Sequence, residues 1–478
     1  MSRLFPNRLL RLGSIYAVGS LATNAVGILL IPLYTAFLTP ADYGAVALLT
    51  LTAAVLTRGV SAAGFHALSR FYFAPENAGR RGQLVFNLFV LMLLASLGIA
   101  AAYVVSSQVL ARLLLGGGDW LPLVRLFALV VLFTPVGDFC RSYLRLRERA
   151  GWVVGLGLAG VLAGAVCAAV LLVRFDAGVY AMGAAAVISP AVFTAGALAL
   201  MARDFTWRLS RAVVREPLRY GFSLFFEGYA NLLMHLGDRY LLRIFSPLGS
   251  VGLYSFGYRF AQVFHQSYVE PSCQATLPSI MKEEGFAERQ SAVIRQSTVW
   301  YLGLGVIAVS AMTLFCREVV ALLATRESFH PAAPILPLVG WGYLLHGLSN
   351  FLSYPILMRR KGGTRTVLMT TAAAINILLN LLLIPVFGFL GAAAATLLSY
   401  ALLCLGAAWL SHRLGAPLPV SWRALLGLCL AAALAGGGYF ALPQGFAPSS
   451  LAVKFALLAG IALLSGWCVV GTVSDSED

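Results

Sequence analysis

About fourteen apolar runs of roughly twenty residues follow one another along this chain, with little between them. They lie at 13–38, 44–65, 84–106, 123–143, 152–173, 178–201, 220–244, 250–272, 297–319, 335–358, 366–386, 389–411, 423–441 and 451–473. Twenty helical residues rise about 30 Å, the thickness of a bilayer's hydrocarbon core, so each run suffices for one crossing. Only 11% of the residues are charged, against about a quarter in soluble domains, which leaves no room for a separate soluble domain. The longest connections, about 202–219 and 273–296, hold at most one amphipathic surface helix each. The chain reads as an all-α polytopic membrane protein of about 14 transmembrane helices.

Placing the N-terminus in the cytoplasm puts twenty-four of the 34 lysines and arginines in cytoplasmic segments and seven, Lys454 among them, in outer ones. Three remain within spans: Arg58, Arg239 and Arg259. This is the bias of membrane proteins toward cytoplasmic basic loops, and it predicts a multi-pass protein of the cytoplasmic (inner) membrane with both termini inside. Only the last hairpin, 423–473, is weakly pinned by it. In a soluble chain the formal charge of +15 would raise nucleic acid as a partner; here the basic residues lie in loops against anionic lipid, and that class is set aside. Arg3, Arg8 and Arg11 precede an apolar run too long for a secretory signal core, so the first run is read as an uncleaved span. The seven cysteines are scattered without a C-x-x-C pair, and neither a metal site nor a disulfide framework is legible.

The chain resembles itself at an offset of about 208–212 residues. Phe37-Leu38-Thr39-Pro40 through Tyr43-Gly44 is echoed by Ile244-Phe245-Ser246-Pro247 through Val251-Gly252. Gly178 through Gly183-Ala-Ala-Ala is echoed by Gly388 through Gly391-Ala-Ala-Ala, and the basic stretch Arg145–Arg149 by Arg359–Arg365. Six spans per repeat gives two pseudo-symmetric six-helix lobes of like orientation, 1–210 and 211–415, followed by a C-terminal helix hairpin and acidic tail, 416–478. Transporters of this plan place substrate between the lobes.

Ionisable groups inside spans are unfavourable in lipid and by default face a bundle interior or a wet cavity. At 100° per residue, Glu227, Asn231 and Asp238 fall within about 40° of one another. Arg259, Gln262, Gln266 and Glu270 fall within about 80° on the next span. Asp238 and Arg259 are expected at similar depths, where they could pair; Thr57, Arg58 and Ser61 form a smaller patch. One reading is a hydrated cationic cavity in which Arg58, Arg259, Arg239, Asn231, Gln262 and Gln266 contact a phosphate-bearing substrate, arginine being suited to bidentate phosphate contact. Glu227 or Asp238 would then carry a coupling ion. The other is an interhelical ion pair with Arg58 and Arg239 reaching for the interfaces. Gly157, Gly160 and Gly164 are expected to allow close helix packing.

Several of these segments resemble one family. Asp238-Arg239-Tyr240-Leu241-Leu242 with Val251-Gly252-Leu253-Tyr254-Ser255 is similar to the seventh and eighth spans of bacterial polysaccharide-biosynthesis flippases, lipid-linked oligosaccharide carriers of the multidrug/oligosaccharidyl-lipid/polysaccharide exporter superfamily. Ile375-Asn376 through Asn380, Pro385, Gly388 and Gly391 to Thr396 resembles its eleventh and twelfth spans. Leu38-Thr39-Pro40-Ala41-Asp42-Tyr43-Gly44, Gly64-Phe65 and Arg70-Phe71-Tyr72 resembles its first hairpin. The resemblance implies a two-lobed fold that moves an undecaprenyl-pyrophosphate-linked oligosaccharide by alternating access, driven by an ion gradient, through an arginine-rich lumen to which Arg58 and Arg259 are assigned. It implies a lipid-linked sugar substrate, with membrane lipids and polysaccharide-assembly proteins as partners and no cofactor. Ion-coupled drug or metabolite antiport on the same fold is the alternative. A membrane enzyme is disfavoured: no H-E-x-x-H, D-x-D or G-x-S-x-G occurs, and no lysine follows a glycine as a phosphate-binding loop needs. No catalytic residue is assigned.

Overall fold

A computed structural model describes residues 4–225, 229–283, 286–359, 362–414, 422–442 and 445–474. Those residues form helices joined by short turns, and none is in a strand. Helix contacts divide the chain into two compact units, Met1–Leu236 and Gly237–Asp478.

The first unit opens with α1 (Leu4–Leu29) and α2 (Ile31–Phe37). The expected first span breaks there because Pro32 cannot donate a backbone hydrogen bond and serves instead in the first turn of α2. Next come α3 (Pro40–Phe71), α4 (Arg81–Val105), the single turn α5 (Ser107–Leu110), α6 (Leu121–Leu146), α7 (Ala150–Phe175), α8 (Val179–Met201) and α9 (Arg211–Ser223). The start of α3 is set by a capping box. Asp42 N–H donates to the Thr39 hydroxyl at 3.2 Å, and the Asp42 carboxylate accepts the Thr39 N–H at 2.9 Å. Around α3 and α6 lies a core of Leu68, Leu84, Leu88, Phe139, Tyr143, Phe193 and Met201. In contrast, Val166, Val170 and Val173 on the far side of α7 are 63%, 46% and 62% exposed. An apolar stripe of that kind is a face toward lipid.

α10 (Tyr229–Phe245) carries the chain into the second unit, which contains α11 (Leu248–Phe264), α12 (Glu270–Lys282), α13 (Ala287–Leu323), α14 (Ile335–Met358), α15 (Gly362–Arg413), α16 (Trp422–Ala441) and α17 (Pro448–Ser474). α15 is two helices folded at Gly388. Asn376 and Ser399, 23 residues apart, are joined by a 3.0 Å hydrogen bond, whereas a straight helix would hold them about 35 Å apart. A π turn, His265–Val269, separates α11 from α12. Ten elements among the described residues are long and apolar enough to cross a bilayer, the folded α15 counted once. Many hydroxyls on these helices donate to the carbonyl a turn back, as in Thr52 to Leu48 at 2.8 Å and Thr313 to Val309 at 2.8 Å.

The internal repeat reappears in the backbone. Gly178 has φ 52° and ψ −133°, and Gly388, 210 residues later, has φ 56° and ψ −132°. Only glycine adopts this region without strain, so each half turns its hairpin on the same special residue. The α2–α3 and α10–α11 corners also match, each leaving two residues, Leu38–Thr39 and Ser246–Pro247, outside helix. In the α7–α8 hairpin Gly160 and Gly164 let the helices close: a Cβ there would lie 2.5 Å from the Ser189 carbonyl oxygen and 3.0 Å from that of Ala185. Gly157 has nothing within 4 Å and plays no part in it.

The C-terminal hairpin is fastened to α13. Lys454 of α17, expected in an outer segment, is fully buried and donates to the Glu318 carboxylate at 2.6 Å. The same carboxylate accepts the Gly445 N–H at 3.0 Å. Phe315 and Phe455 meet beside it with ring centres 4.9 Å apart. The basic-residue pattern could not locate Lys454, because it assigns depth by span ends and is blind to a carboxylate waiting on another helix.

Candidate functional site

A carboxylate–guanidinium cluster is built into the helices of each unit. In the first unit Asp138 of α6 accepts from the Ser61 hydroxyl of α3 at 2.9 Å and from the Arg141 guanidinium at 3.2 Å. Arg141 also lies over the Phe193 ring at 4.4 Å. Arg58 and Arg145 are near enough to bear on the same carboxylate, so three guanidiniums face one acid. The side chains of Arg141 and Asp138 are 40% and 37% exposed, and Arg58 is exposed. Next to Asp138, Gly137 lets α8 approach α6: a Cβ there would lie 2.7 Å from the Thr194 hydroxyl oxygen.

The backbone beside Arg58 is pinned. Gly59 N–H donates to the Tyr229 hydroxyl at 3.1 Å, and the Phe225 ring sits where a Gly59 Cβ would be, 2.3 Å from its nearest carbon. Arg58 is therefore presented from a fixed point while its side chain stays open. The sequence reading found Arg58 and Ser61 but missed Asp138 and Arg141. By the basic-residue pattern Arg141 falls in a cytoplasmic segment, whereas its i, i+3 spacing from Asp138 puts the two on one helix face.

In the second unit the cluster is closed. Asp238 and Arg239 of α10 form an ion pair at 3.5 Å with side-chain exposures of 3% and 8%. Tyr254 of α11 donates its hydroxyl to Asp238, and the Thr396 hydroxyl is within hydrogen-bonding reach of Tyr254. Arg239 donates to Ser255 at 3.2 Å and lies 4.6 Å from the centre of the Tyr258 ring. Tyr258 and Tyr343 of α14 share a 2.7 Å hydrogen bond. His265 stacks near Tyr343, and His346 lies between His265 and Tyr400, with ring centres 4.4, 5.6 and 4.8 Å apart. Five helical segments thus meet in an aromatic and polar knot. In the sequence 81 positions separate His265 from His346.

The expected Asp238–Arg259 pair does not form. The α10–α11 corner lies at Ser246–Pro247, so the residue level with Asp238 is Ser255; Arg259 is one further turn, about 6 Å, along α11. Arg259 is exposed and makes no ion pair with a described residue; Gln262 is half-buried and Gln266 exposed. The π turn shifts the helical phase at His265, so the stripe from Arg259 does not run straight on to Glu270. Glu270 instead accepts from Gln274 at 3.0 Å. Glu227 and the side chain of Asn231 lie outside the described residues.

With repeated helical corners, apolar stripes turned outward and polar clusters held within the helices, the molecule has the build of a polytopic membrane protein. Residues 9–283 match the family model described as polysaccharide biosynthesis protein, and the chain belongs to that family. No curated protein matches it. Among solved structures it is similar to lipid II flippase MurJ in an inward closed conformation, with TM-score 0.74 at 11% identity over 94% of this chain and 97% of that one. It is also similar to an inward-facing multidrug-resistance transporter of the MATE family, with TM-score 0.63 at 15% identity over 83% and 94%. A superfamily transporter from Pyrococcus furiosus gives TM-score 0.52 at 13% identity over 85% and 95%. At these identities the likeness is one of fold.

Proposed function

We propose that this protein carries an undecaprenyl-pyrophosphate-linked oligosaccharide across the cytoplasmic membrane by alternating access, for export of a surface polysaccharide. The observation that carries the reading is the partly exposed cluster of Arg58, Arg141 and Arg145 around Asp138, in a chain of the polysaccharide biosynthesis family. A pyrophosphate cannot enter the hydrocarbon core bare, and fixed guanidiniums in a wet site replace part of its hydration. Arg58 and Arg141 supply planar donor pairs for bidentate contact. Asp138 keeps the cluster from holding the phosphate too tightly, since the arriving anion must share Arg141 with a resident carboxylate. Arg259, exposed on α11, is the matching cation of the second unit, with Gln262 and Gln266 as further polar contacts. Asp238 is the group we assign to ion coupling, and Arg239 the residue that holds it.

In cells that need this chain for surface polymer, the Arg58→Ala/Arg259→Ala variant should lose the polymer and accumulate lipid-linked intermediate in the inner leaflet. Unchanged polymer with a correctly inserted double variant would overturn the reading. The likeness to a MATE-family transporter favours a second one, ion-coupled antiport of a drug or metabolite. Under it, deletion raises drug sensitivity and leaves lipid-linked intermediates at their normal level.

A further inference from the structure

The connection between α8 and α10 is where the sequence allowed for a surface helix, and the structure fixes how that helix lies. α9 buries Val214, Pro217 and Gly221 against the first unit. Gly221 is pressed on the Ala63 carbonyl, where a Cβ would come within 2.5 Å of the oxygen. At the other end the Asn87 side chain donates to the Arg208 carbonyl at 2.7 Å and accepts the Ser210 N–H at 2.8 Å, and Gln83 reaches the same carbonyl. The helix therefore cannot roll. Ala63 lies eight residues, about 12 Å, inside the end of α3, so α9 runs from the mouth of α4 to a level roughly two turns down α3.

With that orientation fixed, the outer face can be read residue by residue. At 100° per residue, Arg211, Arg215, Leu218, Arg219 and Phe222 fall within about 100° of one another, turned away from the buried stripe. All five are exposed, and none of the three arginines forms an ion pair with a described residue. The lead-in adds Trp207 and Leu209, 69% and 72% exposed, and Phe222 is itself 69% exposed. Cations interleaved with bulky apolar groups, at a depth set by two flanking membrane helices, match a layer with phosphates above and acyl chains below. A soluble acidic partner would match the arginines but not Trp207, Leu209 and Phe222.

We propose that the outer face of α9 is a docking site for anionic phospholipid, with Arg211, Arg215 and Arg219 on headgroup phosphates and Phe222, Leu218 and Trp207 in the acyl boundary. The site is independent of which substrate the transporter carries. The test uses the full-length protein in neutral detergent, with native mass spectrometry to count retained phosphatidylglycerol and phosphatidylcholine. The wild type should retain phosphatidylglycerol in preference. R211A/R215A/R219A should weaken that retention roughly ten- to a hundredfold, and the corresponding triple lysine variant should keep most of it. Should the triple alanine variant not fold, each single substitution is expected to weaken retention several-fold. Equal retention of the two lipids by the wild type would overturn the proposal, as would undiminished retention by folded alanine variants. Displacement of the lipid by millimolar inorganic phosphate would also overturn it, by showing a free-anion site instead.

Discussion

The two carboxylate–guanidinium clusters are built from the same chemistry and put to opposite use. Asp138–Arg141 and Asp238–Arg239 have similar separations, 3.2 and 3.5 Å, but side-chain exposures near 40% in the first and below 10% in the second. In water-accessible surroundings such a pair contributes little and its members remain free to exchange partners. Where water is excluded, neither member can be left alone without a large penalty. On the proposed function the first unit's exposed guanidiniums are the ones open to a ligand, while the second unit holds its charge pair among four surrounding hydroxyls, those of Tyr254, Ser255, Tyr258 and Tyr343. The lesson is that counting charges in spans finds such groups but does not say which of them can move.

Breaking the closed cluster should have the largest effect. Arg239→Ala leaves Asp238 uncompensated among buried rings and is expected to destabilise the protein by about 3–5 kcal/mol, read as loss of a monodisperse, cooperatively melting species in detergent. Adding Asp238→Asn should recover much of the stability without recovering transport; recovery of both would remove Asp238 from ion coupling. Lys454→Met applies the same test to the C-terminal hairpin. It should destabilise by a comparable amount, with Glu318→Gln restoring a large part, if α16 and α17 are held on α13 by that pair.

The repeat comparison comes next in size. Gly178→Ala and Gly388→Ala both force a side chain into the same positive-φ conformation, with no contact nearer than 4 Å at Gly178 and only Ser246 at 4.0 Å from Gly388. Each should lower stability by about 1–3 kcal/mol, and thermal melts of the two should agree; a large inequality would mean that the two hairpins are not equivalent. In the open cluster, Asp138→Asn should change stability by about 1 kcal/mol or less while altering transport rate, because it releases Arg141 instead of stranding it. Smallest of all, Gly157→Ala should stabilise α7 by about 0.5–1 kcal/mol, whereas Gly160→Ala, facing the Ser189 carbonyl, should destabilise it.

The amino-acid sequence by itself determined that the chain is helical, lies in a membrane and repeats its own plan. These follow from period and length: an apolar run long enough to span lipid admits few backbones, and Gly178 and Gly388 mark where each hairpin must turn. Arg58, Arg239 and Arg259 could be read as in-span cations for the same reason, since charge in an apolar run stands out. What only the tertiary structure decided is the pairing. Whether Asp238 meets Arg239 or Arg259, whether Lys454 faces water or Glu318, and which side of α9 is left outward all depend on the register between helices. A one-turn slip moves a group by about 5 Å, more than the reach of an ion pair, and no spacing within a single helix records it.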